Sequence, residues 1–348
     1  MDALPFVQMV KPGILVKQIW LNDLQKSSIQ NAFQNLIPPK YEWAHSGEAR
    51  AIIDAVIGFA ATREVTLTLK PVLKAIEVKL ASIGRVQSSL LYLLYLRELL
   101  IREFKPTPFW TITADILVSN HSIKGNHLKI NFTDKIVAQA TFQRIQNEKE
   151  AIIQELKHSN KQIPVPTPLN TSKALMLITS ILKINADHAL ATLEELYLNK
   201  IISYPRTDCD VYPDDFEHKK LIQELAQNTN YSSYCQKVLH KPQIKPKQGN
   251  ANTGDHSPIT PLISLESNAK EFSTDLQRKT YDLIARSYLA LFGDPASEID
   301  LNIAFSINGE IFIANIKALL HNGFYEIAPF LSKEDRKSTR LNSSHRIR

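Results

Sequence analysis

A tyrosine and an arginine two residues apart form the part of this sequence best suited to phosphate chemistry. Tyr204 precedes a proline, which biases it towards an extended backbone, where residues i and i+2 point to the same face. The Tyr204 phenol and the Arg206 guanidinium are therefore predicted to project together. A phenol can attack a phosphodiester, and a neighbouring permanent cation favours the phenolate and neutralises charge on the phosphate oxygens. Residue types alone leave a plainer interpretation open, a part-buried tyrosine in a proline turn beside a solvated arginine.

The residues around Tyr204 favour the chemical interpretation. Residues 198–208 read Leu-Asn-Lys-Ile-Ile-Ser-Tyr-Pro-Arg-Thr-Asp. This stretch resembles the active-site segment of type IA DNA topoisomerases, most nearly the topoisomerase III branch. The resemblance implies that Tyr204 becomes covalently joined to a 5′ phosphate of DNA and that Arg206 stabilises the transition state. A relaxase or a recombinase is disfavoured, because the sequence has neither a relaxase histidine cluster nor a recombinase R…H-x-x-R pattern.

His256 is the third candidate for catalysis. A lone histidine in a loop is more often simply solvated. Residues 254–261, however, read Gly-Asp-His-Ser-Pro-Ile-Thr-Pro, which resembles the G-D-H-P-P-I-T-P motif of the same family with Ser257 in place of the usual proline. The resemblance implies an imidazolium at the scissile phosphate.

A helix predicted over residues 48–62 carries the first candidate DNA-binding residues. Apolar residues recur along it with helical spacing. Arg50 and Asp54 lie four residues apart on one face, so a surface ion pair is the plain interpretation. Residues 49–54, with the Gly-Phe and Thr-Arg pairs that follow, resemble the family's helix beside the groove for single-stranded DNA. The resemblance implies that Arg50, Asp54 and Arg63 bind DNA.

A second candidate DNA-binding stretch, residues 84–89, reads Gly-Arg-Val-Gln-Ser-Ser and precedes a helix predicted over 90–104. Backbone N–H groups and the helix dipole make such a position favourable for phosphate, although Ser88 or Ser89 could simply cap the helix. The stretch resembles the family's G-R-V-Q-[ST] motif, with two serines where Thr-Pro is commoner. The resemblance implies that Arg85, Gln87 and Ser88 bind DNA.

The composition permits a nucleic-acid partner without requiring one. The 348 residues, 44% of them hydrophobic, carry a formal net charge of +6 and suffice for two or three domains. The cysteines, Cys209 and Cys235, form no metal-ligand or disulfide pattern. No GxxxxGK[ST] phosphate loop occurs, so no use of ATP is expected. Without a signal peptide or a bilayer-length apolar run, the sequence predicts a cytoplasmic or nuclear protein that is not secreted and not in a membrane.

The fold class predicted from these elements and the resemblance is multidomain α+β. It is a type IA topoisomerase core, with mostly helical base and active-site domains and an antiparallel β arch or hinge domain built from two separated chain segments. The predicted domains are 1–17 (remnant of a Toprim domain), 18–105 (helical, DNA groove), 106–168 (β, first part), 169–293 (helical, with Tyr204) and 294–330 (β, second part). Residues 331–348 form a predicted tail outside the fold, because 335–345 resemble a translated sequencing adaptor.

Periodicity and turn residues predict the remaining elements. Predicted helices span about 24–36, 134–158, 171–182, 186–199, 214–228 and 269–292. Predicted strands span 109–118, 127–132, 298–307, 310–317 and 324–327. A turn is expected at 120–126 and an extended linker at 159–170. The strands at 109–118 and 299–317 are expected to share one sheet.

The resemblance also implies what lies outside this sequence. It contains no D-x-D-x-E cluster, so Mg²⁺ is expected only in the full-length family enzyme, with no ligands here. The expected partner is single-stranded DNA, with RNA an open alternative, bound by a monomer; no helicase or accessory partner can be named. The chain is interpreted as a central fragment of a topoisomerase III-like enzyme, inactive alone. The alternative is a non-catalytic single-strand nucleic-acid-binding protein derived from the same core.

Overall fold

The computed structural model describes residues 9–21, 24, 26–118, 121–214, 216–253 and 256–332. Among them, residues 9–20 and 34–108 form one compact unit, called unit 1, and residues 21–33 and 109–332 form another, called unit 2. Unit 1 is helical, whereas unit 2 combines an antiparallel sheet with a group of helices.

The elements alternate between helical and extended runs along the chain. The helices are α1 (Lys26–Gln34), α2 (Tyr41–Thr68), α3 (Lys70–Ala75), α4 (Arg85–Glu103), α5 (Lys135–Ile145), α6 (Thr171–Leu182), α7 (Ala186–Leu198), α8 (His218–Leu225), α9 (Ser232–Leu239) and α10 (Asp275–Ala290). The strands are β1 (Thr113–Val118), β2 (His121–His127), β3 (Ile152–Ile163), β4 (Ala296–Ile307) and β5 (Glu310–His321). Two short 3-10 helices, Gly323–Glu326 and Pro329–Leu331, follow β5.

Unit 1 consists mainly of long helices that bury almost no side chains. Of the side chains that the structure describes in it, only Leu73 of α3 is buried. The turn before α4 is held by α2, because the Thr62 hydroxyl oxygen accepts a hydrogen bond from the Ile83 N–H at 2.9 Å. The predicted helix at 48–62 is part of the longer α2, and the one predicted at 90–104 begins earlier, at Arg85.

The five strands of unit 2 form one antiparallel sheet in the order β1-β2-β5-β4-β3. The distant chain segments meet where Asn126 pairs with Ile313 and His127 pairs with Phe312. β4 and β5 form a hairpin across Asn308 and Gly309, whose φ angles of 46° and 84° suit a two-residue turn. The prediction of a single sheet built from two separated segments is confirmed.

α5 covers one face of this sheet. Ala138, Thr141 and Ile145 on α5 are buried, and the sheet contributes Phe305 and Phe312, which are at most 1% exposed. The apolar residues among them belong to a core cluster distinct from that of the helical region. The sheet region therefore has a hydrophobic core of its own.

Several predicted boundaries in the sheet region are wrong. The helix predicted over 134–158 ends at Ile145, and β3 replaces both its second half and the first part of the predicted linker. The charged side chains there suit either element, and pairing of β3 with β4 along its length favours the strand. Residues 121–126, expected to turn, belong to β2. Of the strand predicted at 127–132, residue 127 ends β2 and the rest contributes only an isolated bridge between Trp110 and Phe132.

The strand predicted at 324–327 is also wrong, because this segment is a 3-10 helix. Gly323 has a φ of +50°, and the following Phe324 N–H donates to the Asp294 carbonyl at 2.8 Å. The Phe324 side chain is 4% exposed and joins the helical core. Anchoring to that core therefore overrides the local β pattern.

The helical region of unit 2 packs α6 to α10 around a large core. Leu193 and Leu196 of α7, Ile222 of α8 and Ile284 of α10 are at most 1% exposed. Side-chain caps begin three of the helices, at Asn170, Asn185 and Thr274. α6 and α7 match their predicted spans to within one residue, while α1, α8 and α10 are shorter than predicted.

No single helix of the described residues is long and apolar enough to cross a bilayer; α6 and α7 meet that requirement only when taken together, and they are bent by 112°. The predicted tail from residue 333 onwards, and residues 1–8 of the predicted Toprim remnant, lie outside the described residues.

Candidate active site

Tyr204 lies on a short loop after α7, with its backbone paired to the loop that carries His256. Ile201 and Ile202 are completely buried and anchor this loop in the helical core. The Ser203 N–H donates to the Thr260 carbonyl at 2.9 Å, and the Ser203 hydroxyl donates to the Pro258 carbonyl at 2.9 Å. Because these bonds join the two loops side by side, they bring two predicted catalytic residues from distant parts of the sequence together.

The Tyr204 ring is half-buried between two other rings. The centroid of the His256 imidazole lies 4.5 Å from that of Tyr204, with the planes inclined by 46°. The Tyr197 ring of α7 meets Tyr204 edge-on at 5.2 Å. The predicted closeness of Tyr204 and His256 is confirmed, and their catalytic roles stay predictions. Gly254 and Asp255, which complete the motif before His256, lie outside the described residues.

Arg206 extends over the same helix that Tyr204 contacts. Its Nε donates to the Glu194 carboxylate at 2.6 Å, and its Nη2 makes a second close contact with the same oxygen. Glu194 and Tyr197 are one turn apart on α7, so the phenol and the guanidinium both project towards this helix. The sequence argument from alternating side chains predicted that the two groups project together, but it did not predict α7 as their common partner.

The N-terminus of α6 fixes the backbone just after Tyr204. The Thr171 hydroxyl accepts from the Thr207 N–H at 2.8 Å and lies 2.7 Å from the Pro205 carbonyl oxygen. The Thr171 N–H donates to the Thr207 carbonyl at 2.9 Å. These hydrogen bonds fix the backbone after Tyr204, and the bonds of Ser203 fix the backbone before it. The fold therefore sets the position from which the Tyr204 side chain projects.

The Asp210 carboxylate connects the segment after Tyr204 both to α6, through a part-buried ion pair, and to the segment before His256. The Asp210 carboxylate accepts from Lys173 Nζ at 2.7 Å and from the Ala251 N–H at 2.8 Å. Burial alone would raise the pKa of the Asp210 carboxyl, but these hydrogen bonds outweigh it and hold the pKa below its ordinary value. A Cβ on Gly249 would lie 2.0 Å from the Asp210 carboxyl carbon, so only glycine fits this close approach.

The sequence analysis missed the side chains that support the candidate catalytic residues. Glu194 and Tyr197 stand three residues apart on a predicted helix, a spacing that places them on one face and could have suggested a joint role. Thr171, Lys173 and Asp210 gave no such signal. Their partners lie 34 to 41 residues away along the chain, so only the folded structure reveals them.

In unit 1 the structure joins three of the predicted DNA-binding residues. Arg85 Nε and Nη2 donate to the Asp54 carboxylate at 2.6 and 3.2 Å. Arg50 Nε lies 3.6 Å from the same carboxylate, and its side chain is 74% exposed. The hydrogen bond from Arg85 lowers the pKa of Asp54. Asp54 therefore orients two exposed arginines, which contact a single carboxylate.

The start of α4 differs from the expected capping arrangement. Gly84 is the N-cap residue, and the helix begins at Arg85 rather than after Ser88 or Ser89. The Ser88 hydroxyl oxygen accepts from the Gly84 N–H at 3.2 Å, so this serine reaches back from within the first turn. Gln87 is exposed in the same turn.

Arg63 is exposed on α2, two turns beyond Asp54. It lines an open hollow of about 620 Å³ together with Phe59 and other residues of unit 1. The structure thus brings Arg50, Asp54 and Arg85 together and places Arg63 separately. None of the predicted DNA-binding roles is tested by these positions.

Magnesium has no matching donor set in the part of the chain that the structure describes. No group of three or more His, Cys, Asp or Glu side chains there could hold a metal ion. Asp210 and Asp54 are both engaged with cationic side chains.

Comparison with known proteins identifies the family. The family model described as DNA topoisomerase matches residues 38–347. DNA topoisomerase 1 of Methanocaldococcus jannaschii is 30% identical over 315 residues, which cover 90% of this chain and 40% of that protein. Human DNA topoisomerase 3-beta-1 is 29% identical over 312 residues, which cover 89% of this chain and 36% of that protein.

A solved structure shares the fold. Full-length topoisomerase I from Thermotoga maritima matches with a TM-score of 0.67 at 20% identity, over 89% of this chain and 50% of that one. The predicted multidomain α+β topoisomerase core is confirmed. The chain spans about two fifths of the length of these curated relatives. By its family match and its relatives, it belongs to the type IA DNA topoisomerases, a family of isomerases.

Proposed function

We propose that this chain is the central part of a topoisomerase III-like enzyme, which cleaves one DNA strand, passes another strand through the break and rejoins it without ATP. The observation that supports this proposal is the contact between Tyr204 and His256, with Arg206 two residues further on beside the same helix. A non-catalytic single-strand-binding protein would have no need for this arrangement, and we do not favour that alternative.

The proposed reaction is a transesterification. The Tyr204 phenolic oxygen attacks the phosphorus, the bond to the 3′ oxygen breaks, and the DNA remains joined to the protein as a 5′ phosphotyrosine. The phenol loses a proton and the departing 3′ oxygen gains one. Since one phosphodiester replaces another, the bond energy is conserved and the reversed step reseals the strand.

Proton transfer is the difficult part of this reaction. A phenol is almost wholly protonated at neutral pH, so attack needs a group that takes or holds its proton. Arg206 cannot act as a general base, but it can neutralise charge on the phosphate oxygens. We propose that the His256 imidazole, whose ring packs against that of Tyr204, shares the proton transfer.

Other acid–base groups and the magnesium ligands are proposed to lie in polypeptide beyond this chain. In the complete enzyme the metal would stabilise negative charge on the DNA. We accordingly expect the isolated 348-residue chain not to relax supercoiled DNA, with or without magnesium.

Unit 1 is proposed to bind single-stranded DNA, with RNA an open alternative. Arg50, Arg63 and Arg85 would contact phosphates, Asp54 would orient two of these arginines, and Gln87 and Ser88 would lie beside the strand. Contacts of this kind depend little on sequence and weaken as salt rises. We propose that the protein acts as a monomer on DNA in the cytoplasm or nucleus.

The direct test is capture of the covalent intermediate. The chain is combined with a Toprim fragment of a relative and an oligonucleotide labelled at its 3′ end, then denatured and separated by size. Labelled DNA should migrate with the chain, and this adduct should disappear in Tyr204→Phe. Tyr92→Phe, at an exposed position of α4, is the control that should keep it. An adduct that survives Tyr204→Phe would refute the choice of nucleophile.

A further inference from the structure

The contact between Glu194 and Arg206 has a consequence for the proposed chemistry. The guanidinium that should neutralise phosphate charge is already engaged by a carboxylate, through Nε at 2.6 Å and through Nη2. The Arg206 side chain is 57% exposed and that of Glu194 is 39% exposed. The pair is thus accessible to an incoming anion, rather than sealed in the interior.

α7 holds Glu194 in a fixed position. Leu193 and Leu196, on the side of this helix that faces the core, are completely buried. The next residue, Glu195, accepts a hydrogen bond from Gln277 of α10 at 2.8 Å. Glu194 therefore presents its carboxylate from a rigid helix, one turn from the Tyr197 ring that packs against Tyr204.

A phosphate near Tyr204 would compete with this carboxylate. The planar guanidinium offers its Nε and Nη2 donors along one edge, and carboxylates and phosphates both fit that edge. The two anions also repel each other when they approach the same cation. Simultaneous binding of both along this edge is therefore disfavoured.

We propose that Glu194 is a positioning residue. It holds Arg206 beside Tyr204 while no DNA is bound, and it gives up the guanidinium edge to the phosphate of the bound strand. A half-exposed ion pair is weak, so the exchange is easily driven by DNA. This proposal rests on the proposed function, because it takes a DNA phosphate as the ligand.

The test measures binding of a fluorescein-labelled oligo(dT) to the full chain by anisotropy at low salt. Glu194→Gln should bind about three to ten times more tightly than the wild type, because it removes both the competing bond and the repulsion. Glutamine suits a solvent-facing helix position, so the variant should fold. Glu326→Gln is the matched control, because it loses the same charge at an ion pair with Lys237 and should leave affinity unchanged.

A double variant shows whether Arg206 transmits the effect. In an Arg206→Ala background, Glu194→Gln should give no gain in affinity. The proposal is overturned if Glu194→Gln raises the affinity no more than Glu326→Gln does, or if its gain persists in the Arg206→Ala background. Either result would leave DNA binding by the chain intact. If the wild-type chain binds no oligo(dT) at all, the DNA-binding part of the proposed function fails, and this inference fails with it.

Discussion

Two helices with similar shares of apolar residues, α4 and α10, have opposite surroundings in this protein. In α4 of unit 1, Leu91 is 65% exposed and Leu93 is 62% exposed. In α10 of unit 2, Ile284 is 1% exposed and Ala285 is completely buried. Apolar composition alone therefore does not make a core. An interior requires neighbouring elements to cover each face, and unit 2 has them whereas the described part of unit 1 does not.

The same contrast separates the two groups of candidate functional residues. Tyr204 and His256 lie on loops attached to a large buried core, with backbone hydrogen bonds between the loops. The side chains of Arg50, Asp54 and Arg85 meet in exposed ion pairs, which stabilise a conformation weakly. We therefore expect a rigid candidate active site and an adaptable DNA-binding cluster.

The largest expected effect comes from removing core volume beneath the active site. Leu196→Ala on α7 should lower the free energy of unfolding of unit 2 by about 2–5 kcal/mol, because it leaves a cavity at a completely buried position. Leu91→Ala on α4 is the matched change at an exposed position and should alter stability by less than about 0.5 kcal/mol. Denaturant unfolding followed by circular dichroism measures both. Equal losses of unfolding free energy would contradict this prediction, because they would mean that Leu91 of α4 is as well packed as Leu196 of α7.

An intermediate effect is expected at the part-buried ion pair between Lys173 and Asp210. Asp210→Asn should cost about 1–3 kcal/mol of unfolding free energy at pH 7, because Lys173 loses its carboxylate partner. The pKa of Asp210 is lowered in the folded protein, so its contribution is present above the unfolded pKa and is lost as pH falls through the folded one. The difference between wild type and variant should therefore shrink as acid is added. Unfolding curves at several pH values test this, and a constant difference would contradict it.

The smallest expected effect is on DNA binding by unit 1. Arg85→Ala should weaken binding of single-stranded DNA similarly across sequences. It should also reduce the slope of log affinity against log salt by about 0.7 for the lost phosphate contact. Arg102→Ala, on the same helix and paired with Glu98, is the control for a general loss of charge. If Arg85→Ala changes neither the affinity nor the slope, the Arg85–Asp54 pair has a structural role and no role in DNA binding.

Part of the fold could be predicted from the sequence because the signals for it are local. Helical periodicity predicted α6 and α7 nearly to the residue, and the structure adds the asparagine caps that begin them. The proline after Tyr204 predicted that the Tyr204 and Arg206 side chains project together, and the structure adds that both contact α7. The family motifs, in turn, predicted the meeting of Tyr204 with His256, which no local pattern could supply.

Other features could not be predicted from the sequence because they depend on partners far away along the chain. β3 reads as a charged helix until β4 pairs with it along its length. Residues 324–327 read as a strand until the Phe324 side chain enters the helical core. In both places a modest local preference yields to the larger free energy of pairing or burial.

The sequence by itself determined the candidate nucleophile, its neighbouring cation, the family and the helices around them, because residue identity and short-range spacing carry that information. Only the tertiary structure decided how these residues are held. The pairing of Arg206 with Glu194 and of Lys173 with Asp210 depends on the geometry of packed elements. Burial likewise depends on which neighbours cover a side chain, so the exposure of α4 and the burial of α10 could not be read from their similar apolar content.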